Sequence, residues 1–86
     1  MKPTFEYLVC QSQEGKITFL NGEFAGRFMG DQQVTEVRER IFDSCPEFCD
    51  FLQKLGADGW ELVCGYNITN EHGHYEKLIF KRLKSL

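Results

Sequence analysis

No stretch of this sequence holds the roughly 20 consecutive apolar residues that a membrane-crossing helix needs. Met1-Lys2-Pro3-Thr4 leads straight into strand-like residues, without the apolar segment of a secretory signal, so the sequence reads as a soluble cytoplasmic domain. There is no basic excess either: 10 Lys and Arg stand against 13 Asp and Glu, a formal net charge of −3. A general binder of nucleic-acid backbones is therefore disfavoured, although Lys77, Lys81, Arg82 and Lys84 gather near the C-terminus. Phosphate-cradling G-x-x-x-x-G-K-[ST] and G-x-G-x-x-G motifs are missing. The four cysteines, Cys10, Cys45, Cys49 and Cys64, lack the C-x-x-C spacing of a zinc knuckle and read as reduced thiols rather than a disulfide framework. No cofactor is expected.

What is present is aromatic bulk. Eight Phe, three Tyr and one Trp occur among 86 residues, and each ring buries a large area. Residues 1–86 make one domain, since two cores would not fit, and area scaling gives roughly 64% of the unfolded surface buried.

Phe5-Glu6-Tyr7-Leu8-Val9-Cys10 reads as a strand, with Phe5, Tyr7 and Val9 on one face and Glu6, Leu8 and Cys10 on the other. The second face is mixed, which suits a central strand or one partly covered on both sides. Residues 11–15 read as a polar turn. Asn21-Gly22 between Lys16–Leu20 and Glu23–Gly26 is a strong hairpin signal, because a type I′ turn needs positive φ at both central positions. Residues 32–42 fit either a helix or an exposed strand, with β-branched residues favouring the strand. Ser44-Cys45-Pro46-Glu47 matches a helix capping box. Phe48, Phe51, Leu52 and Leu55 then form an apolar stripe, and Gly56 suits the left-handed residue that ends a helix. After Asp58-Gly59, the spacing predicts a strand over 60–68, a turn over 69–74 and a last strand over 75–83.

The run Leu52-Gln53-Lys54-Leu55-Gly56-Ala57-Asp58-Gly59-Trp60-Glu61-Leu62-Val63, with Leu78-Ile79-Phe80-Lys81-Arg82 after it and Phe5-Glu6-Tyr7-Leu8-Val9 before it, resembles the domain of unknown function 4177 family. That resemblance implies a small bacterial or phage-borne α+β domain and brings no catalytic residues. The segment of about residues 16–42 departs from the family pattern.

The expected fold is α+β: an antiparallel sheet of four to five strands with one main helix packed on one face. One helix cannot cover both faces, so a homodimer or higher oligomer is expected, burying the uncovered face or pairing edges. The functional reading is a non-catalytic binding or interaction domain with an unidentified protein or small-molecule partner. A second reading is a nucleotide-like ligand held between subunits by Trp60 and Tyr66 with Arg27, Arg38, Arg40 and Arg82. A third is a metal- or thiol-dependent enzyme using His72 and His74, which share a strand face at i, i+2, or Cys45 near a helix start. Two local imidazoles fall short of the three protein ligands of a catalytic zinc site.

Overall fold

In a computed structural model, which describes residues 2–26, 42–71 and 73–84, five strands and one helix form an α+β arrangement. The strands are β1 (Phe5–Gln13), β2 (Lys16–Leu20), β3 (Glu23–Phe24), β4 (Glu61–Asn70) and β5 (Gly73–Leu83), and the helix is α1 (Phe48–Ala57). They make one antiparallel sheet in the order β3-β2-β1-β5-β4. β1 is the central strand, as its two-sided pattern implied. The ambiguous segment 32–42 falls, up to residue 41, outside the described residues. No helix among the described residues is long and apolar enough to cross a membrane.

The Asn21-Gly22 hairpin forms as expected, with φ of 49° and 84° at its two central residues. A second tight turn takes its place beside it. Residues 11–13 join β1 instead of forming a loop, and the reversal is confined to Glu14-Gly15, also at positive φ. The polar side chains fit because they satisfy one another. The Thr18 hydroxyl, fully buried, donates 2.9 Å to Gln13 Oε1, and the Gln11 Nε2 donates to the same oxygen at 2.9 Å.

The helix starts three residues later than the capping box suggested. Pro46 and Glu47 are held extended against the start of β2: the Ile17 amide donates to the Pro46 carbonyl at 2.9 Å and the Phe48 amide to the Gly15 carbonyl at 2.9 Å. Glu47 (φ −68°, ψ 141°) is therefore the N-cap, and its carboxylate accepts from the Asp50 amide at 2.9 Å. The amides of Asp50 and Cys49 hold the Glu47 carboxyl below its usual range. The helix also ends later. Gly56 stays helical, and the left-handed residue is Gly59, at φ 89°. At the other end of the chain, β4 runs to Asn70 and β5 begins at Gly73, so residues 69, 70, 73 and 74 of the expected six-residue turn belong to the strands.

Two bulges set which side chains share a face. Between β1 and β2, Gln11 pairs with Phe19 but Ser12 with Ile17, so Thr18 is the extra residue. Ile17 and Leu20 thus both lie on the face of Cys10. Between β4 and β5, Leu62 pairs with Phe80 but Cys64 with Ile79, so Val63 is extra. The buried cluster is Cys10, Ile17, Phe80 and Leu55, with Leu8, Leu20, Leu78, Phe48, Phe51, Leu52 and Trp60 partly buried against it.

Burial pushes the Cys10 thiol up to about 11 from an ordinary 9.0. The unfolded chain ionises this thiol first, so its contribution is complete below about pH 9 and is lost as pH rises through about 11. The loss is on the order of 2–3 kcal/mol. Urea melts between these pH values will show a steeper decline for the native chain than for Cys10→Ala.

Candidate functional site

The two faces of the sheet offer different chemistry. On the Cys10 face, Arg82 is the organising side chain. It lies opposite Glu6 in the β1–β5 register, and its Nε donates to the Glu6 carboxylate in an ion pair. Its Nη1 donates to the Asp58 carbonyl at 3.1 Å, and its guanidinium carbon sits 4.3 Å from the centre of the Trp60 ring. Trp60 is itself pinned, because its amide donates to the Leu55 carbonyl at 2.9 Å. The turn after the helix, the first strand and the last strand therefore meet at one cation. Beside it opens a concavity of about 520 Å³ lined by Glu6, Asp58, Arg82, Leu83 and Lys84.

The other face is apolar and aromatic. By register it carries Phe5, Tyr7 and Val9 from β1, Phe19 from β2, Tyr75, Ile79 and Leu83 from β5, and Cys64, Tyr66 and Ile68 from β4. Phe5, Tyr7, Tyr66 and Leu83 are 43%, 59%, 49% and 63% exposed. Among the described strand residues its charges by register are Lys16 opposite Gln13, Lys77 beside Tyr66, Glu61, and Lys81 between Tyr7 and Glu61. The Lys81 ammonium lies 4.9 Å from the centre of the Phe5 ring. Phe19 and Phe24 meet edge to face at 5.7 Å.

Of the residues singled out from sequence, Trp60 and Arg82 come together, and Tyr66 lies across the sheet from them. Arg27, Arg38, Arg40 and His72 fall outside the described residues. His74 is exposed on β5, with its Nδ1 2.9 Å from the Thr69 hydroxyl. Among the described residues no group of three or more His, Cys, Asp or Glu side chains is placed to hold a metal ion. Cys45 is buried, and that burial raises its pKa while Lys16 pulls weakly the other way. The thiol is thus kept protonated rather than activated.

Sequence reasoning missed Glu6 and the Asp58 carbonyl as partners of Arg82. Seventy-six positions separate Glu6 from Arg82, and no local pattern links them. The open aromatic face did have a signal, the Phe5/Tyr7/Val9 alternation.

Arg82→Ala removes the guanidinium from Trp60, Glu6 and Asp58 together. Both partners of the ion pair are about a third exposed, so the expected loss, discounted for solvent screening, is about 1 kcal/mol. Arg82→Lys restores the charge but not the guanidinium's several donors or its contact with the ring, and recovers only part of it. Denaturation followed by the emission of Trp60, the single tryptophan, reads both. A scan against protein-family models and searches of curated proteins and of solved structures found no match to this chain.

Proposed function

We propose that this chain is a non-catalytic binding or interaction domain that acts as a homo-oligomer. The observation that carries the reading is the apolar Tyr7 face, which leaves Phe5, Tyr7, Tyr66 and Leu83 exposed together. Scattered exposed apolar residues are ordinary, but here the register joins Phe5, Tyr7 and Leu83 to Tyr66 through Val9, Ile79 and Cys64, and an apolar surface of that extent marks an interaction surface. The same reading takes α1 as the cover of the Cys10 face, supported by Leu55 in the buried cluster and by Phe48, Phe51 and Leu52 against it. With a single described helix so used, a second surface has to shield the Tyr7 face. It also keeps the chain in the cytoplasm, and with the small bacterial and phage-borne domains whose helix–turn–strand it resembles.

A specific observation favours one alternative. Arg82, whose guanidinium carbon lies 4.3 Å from the centre of the Trp60 ring, lines an open concavity of about 520 Å³ and offers a cation to a nucleotide-like ligand, with an aromatic ring behind it. Copurified mass on the native protein, lost in Trp60→Ala, is the expected sign of that ligand.

The main reading is tested by light scattering on the purified protein. The expected result is a mass that is a multiple of 10.0 kDa, reduced in Tyr7→Lys, which places a charge in the middle of the patch. A monomer at every concentration overturns it.

A further inference from the structure

The outer edge of β4 has an unusual composition. It is a ten-residue strand at the border of the sheet, and all but Ile68 of its residues are exposed. Edge strands are ordinarily kept from pairing by lysine, proline, a β-bulge or short length; the bulge of β4, at Val63, lies near its start and leaves Cys64–Asn70 regular. β4 has no lysine, arginine or proline, and its one charge, Glu61, is its first residue. The opposite edge of the sheet, β3, is only two residues long. Among the described strands, therefore, one edge is blunted by its length and the other is long and almost uncharged.

We infer that β4 pairs antiparallel with β4 of a second copy of this chain, with Tyr66 opposite its own counterpart, joining two five-stranded sheets into one. The inference rests on the homo-oligomer reading above and adds a second contact: copies meet edge to edge through β4, and the joined Tyr7 faces are then shielded by further copies as that reading requires.

The occupant and the register follow from what β4 itself presents. Residues opposite each other in a ladder must point to the same side of the sheet. Cys64, Tyr66 and Ile68 lie on the Tyr7 face, as partners of Ile79, Lys77 and Tyr75. With Tyr66 at the two-fold axis, Cys64 falls opposite Ile68 of the second copy, and Gly65 opposite Asn67 on the other face. The Val63 bulge then keeps the phase: Leu62 meets Thr69, both on the Cys10 face, and Glu61 meets Asn70, both on the Tyr7 face. The strand is thus self-complementary over its whole length. The arrangement also places the two Glu61 carboxylates at opposite ends of the ladder, about 30 Å apart. A parallel pairing would set them side by side, and like charges directly opposite are destabilising. The tyrosine pair at the centre is a favourable cross-strand contact. The pairing makes the two Tyr7 faces continuous across the axis, doubling the aromatic surface.

The test uses Cys64 as one half of a reporter and Ile68→Cys as the other. The protein is held at about 100 μM, above the roughly micromolar dissociation constant that a small interface supports. It is oxidised with copper phenanthroline, and the linked peptides are mapped while light scattering follows the mass. The expected result is a covalent dimer joined from Cys64 to the thiol introduced at position 68 of the other copy, since directly opposed strand positions come within disulfide range. Self-association without that link, or with links only between like positions, overturns the edge pairing and leaves the homo-oligomer reading standing. A monomer overturns both. Amide exchange on the unmodified chain gives an independent check: protection within residues 62–69 that fades on dilution is expected, and protection independent of concentration argues against the pairing.

Discussion

Among the described residues, one buried cluster ties the elements together: Cys10 of β1, Ile17 of β2, Phe80 of β5 and Leu55 of α1. They come from three adjacent strands and the helix, so none of these elements can leave without opening the centre. Every other feature depends on this cluster being the place where the chain closes. The N-terminus of the helix is tied to the turn before β2, and the C-terminus of the helix is tied through Trp60 and Arg82 to β1 and β5.

Around that centre the two bulges act as phase shifters. A strand has period two, so one extra residue moves every later side chain to the opposite face. Thr18 brings Ile17 and Leu20 to the same side of the sheet. Val63 sends Leu62 to the Cys10 face and Tyr66 to the Tyr7 face. Without the second bulge Tyr66 would follow Leu62, and the aromatic face would lose its member on the edge strand. The functional reading therefore depends on a single irregularity in β4, the same strand whose edge carries no charge beyond Glu61 at its start.

Much of the fold was legible in the residues. The alternation in Phe5–Cys10 placed β1 at the centre, Asn21-Gly22 marked its hairpin, and the Phe48/Phe51/Leu52/Leu55 stripe marked the helix. The errors were at the boundaries. Ser44 and Pro46 looked like a helix start, but the amide of Ile17 captures the Pro46 carbonyl and holds the segment extended. Gly56 looked like the helix end, but the chain turns at Gly59. At the helix start a partner distant in sequence overrode the local preference; at its end the amides of Asp58, Gly59 and Trp60 close back on Lys54, Leu55 and Gly56 and carry the chain past Gly56. The candidate site followed the rule of the helix start: Trp60 and Arg82 were picked out singly, and the Glu6 carboxylate that fixes Arg82 carried no local signal.

By itself the sequence determined the element types, the central strand, the Asn-Gly turn and the apolar stripe of the helix, because periodicity and turn chemistry act over a few residues. It also determined that the edge strand holds no lysine, arginine or proline. Only the tertiary structure decided which faces those side chains occupy, where the helix begins and ends, and that Arg82 meets Trp60 and Glu6. Those outcomes depend on bulges and on hydrogen bonds between distant segments, and such contacts exist only once the chain has closed around its centre.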